Sequence, residues 1–295
     1  MKNKIILFLL AQKGLQVLKS VQDKYLDLIE MVVVDSDKNL SDDCHKEIIE
    51  LCKEKKINYI SRLDFNYKKS FENTFVLAVG WKWLIREKYK QILVIHDSLL
   101  PKYRGFNPLV TALLNKDKII GSTLINAEEN YDTGDIIIQE SFKVSYPISI
   151  KKAIELNCEV IKKIVQKLFY KISNNNYLEG KPQDHNNATY SIWRDDDDYK
   201  IDWNMSSENI LHHINCHSSP YLGSSSFVGD IKFRIHKASI YKDISISNRD
   251  PGKVIFMIQN SPVVICGKGL LKLDMFNDEE MNHVNKLPFF RVRFR

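Results

Sequence analysis

Apolar positions recur along the first half of the chain in two rhythms. Residues 5–10 form an unbroken apolar run, as in a strand covered on both faces. Leu15, Leu18 and Val21 follow at helical spacing, and residues 29–35 (Ile-Glu-Met-Val-Val-Val-Asp) read as a second strand. Ser41 is placed to cap a helix that carries Ile48, Ile49, Leu51 and Cys52 inward. Residues 75–80 and 92–96 are predicted as further buried strands, and residues 119–125 and 136–144 as two more that pair with each other. A long amphipathic helix is predicted over residues 149–172. This alternation predicts an α/β fold: a mostly parallel, doubly wound, Rossmann-like sheet with helices on both faces.

The rhythm changes after that helix. Residues 173–190 are rich in Asn, Gly, Pro and other polar residues and read as a loop or linker. Residues 193–203 are acidic and flanked by Trp193 and Trp203, and residues 206–213 read as a short helix. From Tyr221 onward, short segments (226–228, 231–238, 253–257, 263–266, 270–275) are punctuated by Gly229-Asp230, Pro251-Gly252 and Gly267-Lys268-Gly269. That pattern predicts a smaller, β-rich C-terminal domain, a barrel or a sandwich. The expected division is a first domain over residues 1–190, a linker over 191–204 and a β-rich domain over 205–295.

Composition narrows the function classes. With 43 basic and 37 acidic residues the formal net charge is +6, too weak to argue for nucleic acid. Only 11 glycines and 8 prolines in 295 residues exclude collagen-like and Pro/Gly-rich disordered classes. The run at residues 5–10 is too short for a leader peptide, and no apolar stretch approaches the roughly 20 residues of a membrane span. Cys44, Cys52, Cys158, Cys216 and Cys266 are scattered, without a Cys-x-x-Cys pair, so neither a disulfide framework nor structural zinc is expected. A cytoplasmic protein is the expectation. There is no Gly-x-Gly-x-x-Gly after the first strand and no Gly-Lys-Ser/Thr loop, which argues against nicotinamide and ATP chemistry.

The stretch with candidate chemistry is residues 95–135. His96 falls at the carboxyl end of a predicted strand, where open α/β sheets bind ligands. Asp132 lies in the turn Tyr-Asp-Thr-Gly-Asp before another strand. The two residues read either as a proton-transfer pair, with the carboxylate orienting the imidazole, or as a satisfied structural histidine and a turn-forming aspartate.

His96-Asp97-Ser98-Leu99-Leu100-Pro101-Lys102-Tyr103-Arg104-Gly105 resembles the His-x-Ser-Leu-Leu-Pro loop of folate-dependent formyltransferases. Tyr131-Asp132-Thr133-Gly134-Asp135-Ile136 resembles their Asp-x-Gly-x-Ile/Leu loop. Lys200-Ile201-Asp202-Trp203, residues 251–255 and residues 266–273 resemble the C-terminal domain of the sugar and methionyl-tRNA members, an OB-like barrel. The resemblance covers nearly the whole chain. It implies N10-formyltetrahydrofolate as co-substrate and a primary amine as acceptor, with a base for the amine proton and donors for the oxyanion. His96 and Asp132 are carried over as catalytic residues. Gly80, Trp81, Lys82, Leu84, Glu128, Asn130 and Tyr131 would line the donor pocket, with one of Trp81 and Trp83 expected buried and the other at the pocket. Ser98, Lys102, Tyr103, Arg104 and Asn107 would meet the substrate, Lys102 and Arg104 near its anionic groups.

One position departs from the family. The residue two before the histidine is usually asparagine, an oxyanion donor, and here it is Val94. The resemblance is strongest to nucleotide-sugar N-formyltransferases, which implies a nucleotide-linked amino sugar as partner in surface glycan biosynthesis, with no nucleic acid and no membrane, and leaves room for a homodimer. A methionyl-tRNA formyltransferase is the alternative; a silent folate- or nucleotide-binding homologue is the reading that Val94 suggests. His212, His213, Cys216 and His217 could present three soft ligands on one helical face but match no zinc template, so no metal is expected. Residues 195–198 read as a charge-balanced linker, and Arg291, Arg293 and Arg295 as a solvated basic end.

Overall fold

A computed structural model describes residues 3–37, 40, 43–66, 71–85, 89–174, 178–278, 287 and 291–295. Ser41, the expected cap, lies outside the described residues. The chain divides into two compact units: residues 1–112, 117–144 and 153–193 form the first, and residues 113–116, 145–152 and 194–295 the second.

The first unit begins with β1 (Lys4–Leu9), α1 (Ala11–Ser20), β2 (Ile29–Val34), α2 (His45–Glu54) and β3 (Tyr59–Ser61). It continues with β4 (Phe71–Val79), β5 (Tyr89–His96), the two-residue β6 (Arg104–Gly105), α3 (Pro108–Leu114), β7 (Ile119–Asn126), β8 (Ile136–Lys143), α4 (Ile150–Ser173) and β9 (Tyr190–Ser191). The seven-stranded sheet runs β3-β2-β1-β4-β5-β7-β8. Its first five strands are parallel, and β7 and β8 add antiparallel to β5 and to each other, so the expected pairing of the last two strands is present. The winding reverses at β1/β4.

The central strands β2, β1, β4 and β5 alternate between two apolar surfaces. Ile5, Leu7, Leu9, Val32, Val34, Leu77, Leu93 and Ile95 face a core shared with Leu15 and Leu18 of α1, Ile48 and Cys52 of α2, and Ile161, Ile164, Val165 and Leu168 of α4. Ile6, Phe8, Val33, Val76 and Ala78 face the other way. On that second face the expected helices are absent among the described residues, and aromatic residues cover it: Phe65 and Phe71, with Trp81 and Tyr89 packed against them. Right-handed crossovers put α1 and α2 on the same side of β1-β2-β3. The connections into β4 and β5 cross the opposite side and carry no described helix, so large rings fill the space instead.

The second unit holds α5 (Ser207–His217) and five strands, β10 (Ser224–Val228), β11 (Ile231–Tyr241), β12 (Val254–Ile258), β13 (Ser261–Ile265) and β14 (Leu270–Asp278). Ser206 caps α5, its side chain accepting from the Asn209 amide. The sheet is antiparallel, in the order β10-β11-β14-β13-β12. Its edges do not pair directly. Phe227 of β10 exchanges two backbone hydrogen bonds with Arg295, while the Phe294 amide donates to the Gly252 carbonyl and the Val254 amide to the Val292 carbonyl. The C-terminal segment therefore bridges both edge strands and completes the barrel. Arg295 and Arg293, read from sequence as part of a solvated end, belong to that closing segment, and Arg293 pairs with Asp250.

Candidate active site

The site is built where β5 ends. Period-two alternation sets Ile92, Val94 and His96 on one face of the strand, and His96 is 7% exposed. The loop that follows is tied to β7: Thr123 Oγ1 donates to the Ser98 carbonyl (2.6 Å), and the Leu100 amide donates back to Thr123 Oγ1 (3.2 Å). Ser98 Oγ donates to the Lys102 carbonyl (2.5 Å), closing the turn. Tyr103 has a left-handed backbone, φ 60°, which swings its carbonyl onto His96 Nε2 at 2.7 Å. β6 then pairs in parallel with β9. Gly105 is required at this pairing: its φ is +97°, and a Cβ there would lie 2.6 Å from the Ser191 carbonyl.

Asp132 reaches the same place from the turn before β8, also left-handed at φ 55°. Its Oδ1 lies 3.4 Å from His96 Nδ1, and its Oδ2 accepts the Gly105 amide at 2.8 Å. Gln183 holds the turn from behind, its amide nitrogen donating to the Asp132 carbonyl (2.8 Å) and the Gly134 carbonyl (2.7 Å). A neutral imidazole has one N–H. With that hydrogen on Nε2, donated to the Tyr103 carbonyl, the Nδ1 lone pair is presented toward Asp132, and once Nδ1 takes a proton the carboxylate stands beside the cation it stabilises.

Asp97, next to His96, anchors the strand end to the helical side of the sheet. Lys13 of α1 pairs with it, Asn157 Nδ2 of α4 donates to its Oδ1 at 3.0 Å, and Ser122 Oγ lies at 3.4 Å. Asp97, Lys13, Asn157 and Gln183 were invisible to sequence reasoning because their partners lie 25 to 84 positions away. Gln183 lies in the stretch that reads as a loop, without periodicity to mark it as buried.

The other predicted positions divide. Ser98 and Arg104 are each 2% exposed and serve the scaffold. Arg104 is a correction: its guanidinium donates to Gln183 Oε1 (2.7 Å from Nη2) and contacts His185, so it fixes the loop and is not offered to an anionic ligand. Lys102 is exposed, and Tyr103 uses its hydroxyl on Asp117 (3.1 Å). Asn107 stands just before α3 with φ 49° and a side chain without a partner among the described residues. Val94 and Trp81 pack against the same apolar cluster beside Phe8 and Ala78. Trp81 meets Phe8 edge-on at 5.1 Å and Trp83 at 5.0 Å; both tryptophans are half-buried, which corrects the expectation of one inside and one out. Gly80 has φ +64°, with the Leu10 carbonyl 3.1 Å from where a Cβ would stand. Lys82 pairs with Asp37, and Leu84 is exposed. Glu128, Asn130 and Tyr131 lie in an exposed turn closed by Thr133 Oγ1, which donates to Glu128 Oε2 and the Asn130 carbonyl.

In the second unit the α5 histidines are internal hydrogen-bonding groups. His212 Nε2 meets the Leu113 carbonyl at 2.9 Å, His213 bridges Ser224 and the Asp198 carbonyl, and His217 Nδ1 meets the His213 carbonyl at 2.9 Å. Burial pushes the Cys216 thiol up to about 12, so it is not a ready thiolate ligand. Among the described residues no group of three His, Cys, Asp or Glu side chains is arranged to hold a metal. Asp196 accepts from Lys232 and Arg234; burial raises its pKa, and these two donors outweigh that effect and leave it below the usual carboxylate range. No helix among the described residues is long and apolar enough to cross a membrane.

Comparison with known proteins places the chain in a family. Residues 70–155 match the formyl transferase family, and residues 194–292 match the formyl transferase C-terminal domain. A methionyl-tRNA formyltransferase from Kosmotoga olearia is 27% identical over 214 residues, 71% of this chain and 68% of that protein. One from Streptococcus pyogenes is 32% identical over 183 residues, 61% of this chain and 56% of that protein. An N-formyltransferase from Helicobacter canadensis, solved with folinic acid and dTDP-3-aminofucose, shares the fold with a TM-score of 0.65 at 18% identity, covering 92% of this chain and 99% of that one. With the two matched segments together spanning more than half of its residues, the chain belongs to the formyl transferase family, whose chemistry is folate-dependent formyl transfer.

Proposed function

We propose that the protein transfers a formyl group from N10-formyltetrahydrofolate to the amine of a nucleotide-linked amino sugar used in surface glycan biosynthesis. The observation that carries the transferase reading is the His96–Asp132–Gly105 clamp, a histidine held through both ring nitrogens at the carboxyl end of a sheet strand. One feature of the sheet face shared with Val94 fits a donor pocket: the Trp81 Nε1 hydrogen is buried without a partner among the described residues.

N10-formyltetrahydrofolate supplies the formyl carbon when bound: its C–N10 bond breaks, a C–N bond to the acceptor amine forms, and one proton passes from that amine to the departing folate nitrogen. The His96–Asp132 pair takes the amine proton and holds it between Nδ1 and Oδ1. Asp132 orients the ring and stabilises the imidazolium. Asn107, left-handed at the loop end with an unpaired amide, is the side chain we assign as oxyanion donor in place of the asparagine that Val94 displaces.

The sugar acceptor is supported by the near full-length match in fold to a dTDP-aminosugar-bound enzyme. The methionyl-tRNA reading is favoured by the named relatives at 27% and 32% identity. Incubation with N10-formyltetrahydrofolate and a panel of dTDP-, UDP- and GDP-linked 3- and 4-amino sugars, alongside methionyl-tRNA, separates them by product mass. A formylated sugar nucleotide is expected. Transfer to methionyl-tRNA alone would replace the sugar reading, and folate binding without transfer to any amine would establish the silent homologue.

A further inference from the structure

We infer that Phe106 and Tyr131 form an aromatic ledge that seats the sugar ring of the acceptor and selects which amine reaches His96, an inference that rests on the sugar-transferase reading above. The Gly105 amide donates to Asp132 Oδ2 at 2.8 Å and locks two loops together. The residue after Gly105 on one loop and the residue before Asp132 on the other therefore stand side by side. Their ring centroids are 6.0 Å apart and the planes are tilted by 54°. Neither ring serves the core: Phe106 is 51% exposed and Tyr131 72%. Two large aromatic side chains held in water beside a buried proton-transfer pair form an apolar surface that packing does not account for.

The position identifies the occupant. The acceptor nitrogen has to come within hydrogen-bond reach of His96. In a nucleotide-linked amino sugar, that nitrogen sits directly on the pyranose, while the base is a ribose and a diphosphate further away. The part of the acceptor that lies beside Asp132 is therefore the sugar. A pyranose offers an apolar C–H face to which two tilted rings can conform, whereas a diphosphate gains nothing from uncharged rings. This moves Tyr131 from the donor side, where family resemblance places it, to the acceptor side. The donor's own aromatic contact is assigned to Trp81, on the face shared with Val94.

The test is steady-state kinetics on the full chain, with the best amino-sugar acceptor from the panel, for Phe106→Ala, Tyr131→Ala and Tyr131→Phe. Both alanine variants are expected to raise the acceptor KM about tenfold or more, with kcat and the KM for N10-formyltetrahydrofolate within about threefold of the parent. Tyr131→Phe keeps the ring and should restore the acceptor KM. Because both side chains are exposed, thermal midpoints should be unchanged, so a misfolded variant would be recognised. An unchanged acceptor KM in both alanine variants, or a rise confined to the donor KM, overturns the ledge while leaving the transferase reading intact. Formylation of methionyl-tRNA alone, or of no amine, overturns the functional reading and the ledge with it.

Discussion

Acid should open the second unit at α5, and His217 is the group that reports it. The residue is 1% exposed; burial first, and the neighbouring His213 and Arg194 next, push its pKa from the ordinary 6.5 down to about 3. His212 and His213 are lowered as well, mainly by burial. The His213 and His217 rings lie 4.3 Å apart, so a proton on one opposes a proton on the other. A depressed histidine pKa means that the unfolded chain takes up the proton first. The stability contribution is therefore complete above pH 6.5 and is lost as pH falls from there toward 3. At about 1.4 kcal/mol per pH unit, His217 alone removes about 2 kcal/mol between pH 7.5 and pH 5.0. Hydrogen exchange of peptides covering α5 and β10, corrected for the intrinsic pH dependence of exchange, measures this opening free energy directly. In His217→Gln the loss over that interval should shrink to what His212 and His213 contribute. Equal protection of α5 at pH 7.5 and 5.0 in the parent protein, or an unchanged slope in the variant, would refute the reasoning.

Three further outcomes follow from the site. His96→Asn should lower turnover by about 10²-fold or more while leaving folate binding by calorimetry largely intact; near-parental turnover would remove His96 from the chemistry. Val94→Asn places an amide against the Phe8, Val76 and Ala78 cluster and should cost about 1–3 kcal/mol in denaturant unfolding without speeding transfer. A single-turnover rate raised tenfold would instead show that the parent site lacks an oxyanion donor. Gly105→Ala meets the Ser191 carbonyl at 2.6 Å with φ at +97° and should release the Asp132 clamp. Loss of activity with a folded chain by circular dichroism is expected, and parental activity would show that the clamp is dispensable.

Much of the fold is determined locally. Unbroken apolar runs mark the buried parallel strands, and the polar-apolar rhythm of residues 150–173 marks α4, because strand and helix periodicity are written in consecutive residues. His96 at the end of β5 and Asp132 before β8 were legible for the same reason: each stands at the boundary of a periodic segment. The rest depended on partners far apart in the chain. Sequence periodicity predicts helices on both sheet faces, but only the packed structure shows aromatic rings covering the second face. Arg104 reads as a cation for an anionic ligand, and only the tertiary structure turns it inward onto Gln183, 79 positions away. The barrel edges look open from strand pairing, and residues 292–295 bridge them. Side-chain chemistry says which interactions a residue is able to make. Burial and long-range hydrogen bonding decide which of them it does make, because a buried polar group must find a partner wherever the chain brings one.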